Sequence, residues 1–566
     1  MEHTSDLPKV RQANKEAAQR VSKPWRWSSW LIAGVLVFPI LAIFYQSFGE
    51  SDDLFAHLFA TVLPTYTQNS ILLVVFVSML SLLFGLPCAW LMAMCRIPGQ
   101  KFLEWALVLP LAMPGYIVGY IYTDWFDFAG PVQLWIREIT GWGPQDYWFF
   151  DIRTLGGASV VLALVLYPYV YLLARTAFMQ QGANLLQSAR LLKSSAWQSF
   201  YRVSLPLARP AIMVGVSLVA METLGDFGTV SYFALNTLTT AVYDTWLGYS
   251  NLNAAAKISS IMLLVVILLL SMERYSRRKQ KQFQDQNSQA SLDKYHLKGW
   301  KKYLALFWCY GLFAAGFALP MYQLLYYVAG YFEQSWSDEF SLYAFNSLVV
   351  SLAAAVLACL IALLLNFYSR LNQYHVKASF SSRLGHLPMR FASLGYAVPG
   401  TVLAIGIMVT VLSGDHLIND FAKMMTWQPP GLILSGTMFA LVFAFIVRFG
   451  AVAIGSIETS LAKVSPHIDM AARTMGCQPN QVLKRVHIPL LVRSLLVAGL
   501  LVFIESMKEL NASILLRPFN FETLATAVYN YTSDEMLEHA ALPAVILVLV
   551  GLLPLILVNR SLDKVH

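Results

Sequence analysis

Apolar runs of about 20 residues, separated by short polar stretches, recur along the whole of this 566-residue chain. At 1.5 Å rise per residue, each run is long enough as an α-helix to cross a hydrocarbon core of about 30 Å. The pattern predicts twelve such helices, near residues 29–48, 69–94, 102–125, 157–179, 209–233, 254–271, 303–329, 345–367, 388–412, 431–455, 490–516 and 539–559. Hydrophobic residues are 57% of the chain and charged residues 13%, against roughly 25% charged in soluble domains. The expected class is an all-α membrane protein. The first apolar run is longer than the core of a signal peptide and follows a charged arm, so it is expected to be a retained anchor.

Charge sets the expected orientation. Lys and Arg collect in the N-terminal arm (Lys9, Arg11, Lys15, Arg20, Lys23, Arg26) and in alternate loops: Arg96 and Lys101, Arg190 to Arg202, 272–302, and Arg370 to Arg390. The intervening loops are acidic or neutral. By the positive-inside bias both termini are cytoplasmic. The net charge of +8 is mostly this bias, and no basic soluble domain exists to bind nucleic acid. Cys88, Cys95, Cys309, Cys359 and Cys477 show no ligand-like spacing and read as small apolar residues or free thiols.

The chain is written twice. Residues 205–233 align without a gap on 488–516; Thr237–Tyr243 match Thr523–Tyr529 after a short slip; Asn69-Ser70 recurs as Asn346-Ser347, and Pro114-Gly115 as Pro399-Gly400. Six spans per half is an even number, so the halves form parallel repeats. The expected organisation is a basic arm (1–28), a first repeat (29–271), a linker (272–302) and a second repeat (303–566). The linker, with nine Lys or Arg, reads as a solvated tether that fixes topology; an anionic-lipid site is the alternative.

One polar loop is part of the repeat. Gln187-Ser188-Ala189-Arg190, then Lys193 and Pro206, is matched by Met470-Ala471-Ala472-Arg473, then Gly476 and Pro489. Each copy suits a helix–turn–helix, in which Gly476 takes the left-handed conformation that ends a stub helix, and Pro206 and Pro489 halt the second piece. The loop resembles the EAA motif of ABC importer permeases, in which the stub helix docks on a cytoplasmic ATPase. Gln187 and Met470 stand where that motif has Glu, Ser188 where it has Ala, and Lys193 where it has Gly. The resemblance implies the type I ABC importer permease fold of twelve membrane helices, a bacterial inner-membrane location, a periplasmic binding protein and a cytoplasmic ABC ATPase dimer as partners, and coupling roles for these loop residues. The sequence has no Gly-Lys dipeptide, hence no Walker A loop. No enzymatic activity, catalytic residue or bound cofactor is expected on this chain; ATP belongs to the partner.

Charges inside apolar spans default to functional hypotheses. Glu222 and Asp226 recur as Glu505 and Glu509, and i,i+4 spacing would put each pair on one helix face. Four carboxylates along a translocation path, with Lys508 opposing one, suit a hard cation and repel an anion. The alternative is that these acids lock helices through Lys508 or backbone hydrogen bonds. Met221–Phe233 and Arg517–Ala525 resemble the fused two-domain permeases of Fbp-type ferric iron importers, a likeness that covers nearly the whole chain. It implies ferric iron as substrate, with no stable metal site and with Glu222 and Glu505 as transient ligands. Other small solutes (thiamine, polyamine, phosphonate) and, from a different class, an ion-coupled secondary transporter are the alternatives. The tryptophan-rich 126–156 segment reads as a binding-protein contact or as interfacial anchoring.

Overall fold

A computed structural model of the chain describes residues 7–51, 53–179, 181, 196–277, 294–373 and 385–563. Among these residues the fold is α-helical, save for a parallel bridge that pairs Cys95–Arg96 with Tyr295–His296. Among the described residues ten helices are long and apolar enough to cross a membrane: Pro24–Ser47, Leu63–Met94, Leu155–Met179, Trp197–Gly225, Leu252–Leu269, Trp300–Ser335, Asp338–Asn372, Gly400–Met424, Met438–Ala462 and Pro479–Lys508. A bent pair, Gln100–Ala112 with Gly115–Thr140, has the form of a broken span or a re-entrant loop, and a shorter apolar helix, Leu537–Leu553, lies where the twelfth is expected.

The third expected helix is broken. Helix Gln100–Ala106, a 3₁₀ turn Leu109–Ala112 and helix Gly115–Phe126 follow one another, and the bent pair meets at 91°. Proline supplies the cause: it lacks an N–H and drives the residue before it out of the helical region. Met113, before Pro114, is extended at φ −96°, ψ 121°. The ninth expected helix breaks at the matching place, with Val398 extended before Pro399 and helix Gly400–Met424 beginning after it.

Pro206 and Pro489 do the opposite of what the sequence suggests. They do not halt a helix; the chain runs through them into Leu205–Gly225 and Ile488–Lys508. A π-helical turn precedes each, Phe200–Ser204 and Leu483–His487, with Leu205 N–H donating to Phe200 O and Ile488 N–H to Leu483 O. The wider turn absorbs the bond that a proline cannot make and relieves its ring. The same device precedes Pro320.

Compactness divides the chain into two units that exchange their ends. One is Met1–Gly49 with Phe345–Phe521; the other is Glu50–Ala344 with Glu522–His566. In the first unit, helix Pro24–Ser47 lies so close to Gly400–Met424 that a Cβ on Gly406 would overlap Pro39 and Ile43. In the second, Gly551 of the last helix meets the Ala112 backbone in the same way. Trp300–Ser335 joins that second unit as well: Cys309 Sγ lies 3.8 Å from Cys88 Sγ, and Tyr327 donates to Asp124 at 2.8 Å. All five cysteines are free thiols, and burial pushes the Cys95 thiol up to about 11.

Candidate functional site

The buried acids mark two matched helix breaks. Helix Leu205–Gly225 ends one residue before Asp226, whose backbone is extended (φ −68°, ψ 131°). Glu222 is therefore in the last turn and Asp226 beyond it, so the expected shared helix face does not exist. Gly225 is the local reason, since glycine weakens a helix end. Asp226 Oδ1 accepts from Thr229 N–H (3.0 Å) and Val230 N–H (3.1 Å), and Oδ2 from the Thr229 hydroxyl (3.1 Å). The carboxylate thus satisfies the first N–H groups of helix Gly228–Tyr232, where a negative charge is favoured.

The second sequence repeat does the same with a different residue set. Ile488–Lys508 ends before Glu509 (φ −72°, ψ 112°). Glu509 Oε1 accepts from Ala512 N–H at 3.0 Å and from Arg448 Nη1 at 3.0 Å, and both charged side chains are nearly buried. Sequence reasoning missed Arg448, although a lone Arg within the apolar run FAFIVRFGAV was the signal. The corresponding position of helix Leu155–Met179 holds Val165. Lys508 Nζ lies 3.6 Å from Glu505 Oε1, and the Glu505 side chain is half exposed. The expectation of four carboxylates with one opposing base is corrected: Lys508 and Arg448 both oppose the acids of this copy. Glu222 is partly buried and has partners of its own. Among the described residues, no group of three or more His, Cys, Asp or Glu is placed to hold a metal.

Each break is packed against a glycine of the proline-broken helix. A Cβ on Gly400 would come within 2.7 Å of Glu509 Oε1, and one on Gly115 within 3.3 Å of the Thr229 hydroxyl that bonds Asp226. In the second copy the glycine of the Pro-Gly pair meets the acid itself, and in the first it meets the threonine that bonds the acid.

The second copy of the polar loop is a helix–turn–helix. Helix Pro466–Thr474 ends in Gly476 at φ +82°, with Cys477 N–H donating to Ala472 O and Met475 N–H to Ala471 O. This closes the helix C-terminus as a left-handed glycine allows. Pro479 opens the next turn, capped by reciprocal bonds between Gln478 and Gln481. Ala472 is buried, whereas Met470, Ala471, Met475 and Gly476 are exposed. In the first copy Gln187, Ser188, Ala189, Arg190 and Lys193 lie outside the described residues. Its following segment begins with exposed Trp197 and Tyr201. In the 126–156 segment Trp135, Trp142 and Trp148 are exposed.

Comparison with known proteins places the chain in a family. The family model described as "binding-protein-dependent transport system inner membrane component" matches twice, over residues 81–281 and 375–565. The Fe(3+)-transport system permease protein FbpB 2 of Haemophilus influenzae is 26% identical over 90% of this chain and 92% of its own length. The molybdenum transport system permease protein ModB of Escherichia coli is 32% identical over 37% of this chain and 95% of its own. The sulfate transport system permease protein CysW of Escherichia coli is 27% identical over 37% of this chain and 72% of its own. Two family domains, the all-helical membrane fold and the doubled loop converge: this chain belongs to the binding-protein-dependent transport system inner membrane components, as a fused, two-domain ABC permease.

Proposed function

We propose that this chain forms the membrane pathway of an ATP-driven importer of ferric iron. A periplasmic binding protein delivers the ion, and a cytoplasmic ATPase dimer supplies the work. Both termini and both copies of the polar loop are cytoplasmic in this reading. The observation that carries the substrate is the correspondence along nine tenths of the chain with a protein named for Fe(3+) transport. Glu222 and Glu505 are the transient ligands, because carboxylate oxygens suit a hard cation. Asp226 and Glu509 hold the helix breaks in place beside them.

Coupling falls to the repeated loops: Gln187, Ser188, Ala189, Arg190, Lys193 and Pro206, and Met470, Ala471, Ala472, Arg473, Gly476 and Pro489. The exposed Ile468, Met470 and Met475 give the second loop an apolar face for a groove on the ATPase.

A second reading, import of an oxyanion, is favoured by Arg448 and Lys508 beside Glu509 and Glu505. ATP-dependent uptake by the complete complex in proteoliposomes decides between them. Labelled ferric iron should enter with its binding protein, and sulfate or molybdate should not. Uptake of an oxyanion in place of iron overturns the substrate while leaving the permease intact.

A further inference from the structure

The Pro466–Thr474 helix is tied to the membrane helices by a buried charged lock. Asp469, on that helix, has Oδ2 2.6 Å from Arg370 Nε and Oδ1 2.8 Å from His487 Nε2. The three side chains are at most 8% exposed. Arg370 spends its remaining donors on the same segment: Nη1 to Leu461 O at 2.6 Å, and Nη2 to Val464 O at 2.9 Å and Ser465 O at 3.3 Å. A planar guanidinium that reaches one carboxylate and three carbonyls fixes the end of helix Asp338–Gln373 to the stub helix in one orientation. His487 sits in the π-helical turn that leads into Ile488–Lys508, the helix that ends at Glu505 and Glu509. Phe367 packs edge-on to His487 at 5.6 Å and to Trp25 at 5.0 Å, and Trp25 donates to Asn480 at 3.2 Å.

Among the described residues the first copy keeps an aromatic contact at the matching place, and its three matching sequence positions are uncharged. Trp90, the counterpart of Phe367, packs on Phe200 at 5.0 Å and beside Tyr295 at 6.4 Å. The positions that answer to Arg370, Asp469 and His487 are, in sequence, Ala93, Leu186 and Ser204. At these three positions the first repeat therefore has no charge in its sequence to form such an ion pair. A buried ion pair such as Arg370–Asp469 cannot separate without stranding a charge.

We propose that Asp469 is the positioning residue of the second coupling loop: with Arg370 and His487 it makes the stub helix and Ile488–Lys508 move as one body, so that this loop transmits the ATPase stroke to the acid-bearing helix end. The inference rests on the coupling role proposed above for these loops. It also accounts for Met470 at the place of the motif's Glu: the acid stands one residue earlier and faces inward.

The test uses the full complex of permease, ATPase and binding protein in proteoliposomes, and reads two ratios: substrate moved per ATP, and ATP hydrolysis with loaded binding protein over hydrolysis without it. In Asp469→Asn both ratios should fall at least about fivefold, the low end of ordinary coupling free energies, while the ATPase still co-purifies. Asp469→Glu should recover part of each ratio, and Ser204→Ala in the first copy should leave both unchanged. If Asp469→Asn does not insert, the triple variant Arg370→Met, Asp469→Leu, His487→Phe leaves no stranded charge and should insert uncoupled. Unchanged ratios in whichever variant inserts overturn the lock. A wild-type chain that binds no ATPase overturns the coupling reading itself, a distinct result. A lower yield with both ratios intact marks Asp469 as structural and also overturns the proposal.

Discussion

Asp226 and Glu509 occupy matched places and perform one local task with different help. Asp226 takes three hydrogen bonds from the start of the next helix. Asp226→Ala removes them all and should cost about 1–2 kcal/mol, the size of a lost cap. Asp226→Asn keeps an acceptor for both N–H groups and should cost less. Glu509→Gln leaves Arg448 nearly buried without its counter-charge and should cost about 3–5 kcal/mol. Thermal unfolding of the three variants in detergent checks this order, and an equal loss for Asp226→Asn and Glu509→Gln would contradict it. Glu222 and Glu505 carry the substrate prediction. Gln at both positions keeps shape and removes two charges, so assembly should be near normal while ferric uptake is largely lost. Normal iron transport by that double variant would make these acids structural.

At the scale of elements, what was legible in sequence was what repeats. The matched runs Thr237–Tyr243 and Thr523–Tyr529 open matched helices, each with a capping box that only the structure reveals, and the left-handed Gly476 follows from its place after a short helix. The failures were of helix continuity. Spacing alone treats Glu222 and Asp226 as neighbours on a face, but whether the helix survives between them depends on what the chain does next. In the first copy Gly225 gives a hint. In the second the break follows Lys508, an ordinary helix former, and is held by Arg448 from another helix. Likewise Pro206 and Pro489 read as stops because a π-helical turn has no local sequence signature. The loop makes its own prediction: Gly476→Pro cannot adopt φ +82°, since proline is fixed near −65°. Ferric uptake should vanish while membrane insertion stays normal. Lys193→Gly, which moves toward the family pattern, should be tolerated. Survival of both ATPase docking and uptake in Gly476→Pro would mean that the loop does not couple.

For the whole molecule, the exchange of ends is the feature that composition could not announce. Apolar periodicity finds helices, but it is silent on which helix covers which. The first helix completes the unit built from 345–521, and the last completes the unit built from 50–344. Cutting the chain between the repeats, within 278–293, therefore separates two fragments that each lack part of a core. Separately expressed fragments should be poorly folded, and co-expression should restore a protected complex. Proteolysis of each fragment alone and of the pair measures this. Independent, protease-resistant halves would contradict it.

In the function proposed above, this chain moves ferric iron only when an ATPase works on it. The most direct measurement is uptake of labelled ferric iron into proteoliposomes that hold the chain with and without its ATPase partner, ATP and loaded binding protein. Uptake should require all three, and the chain alone should neither hydrolyse ATP nor pass iron. Iron uptake driven by an ion gradient without ATP, or ATP hydrolysis by the isolated chain, would contradict it.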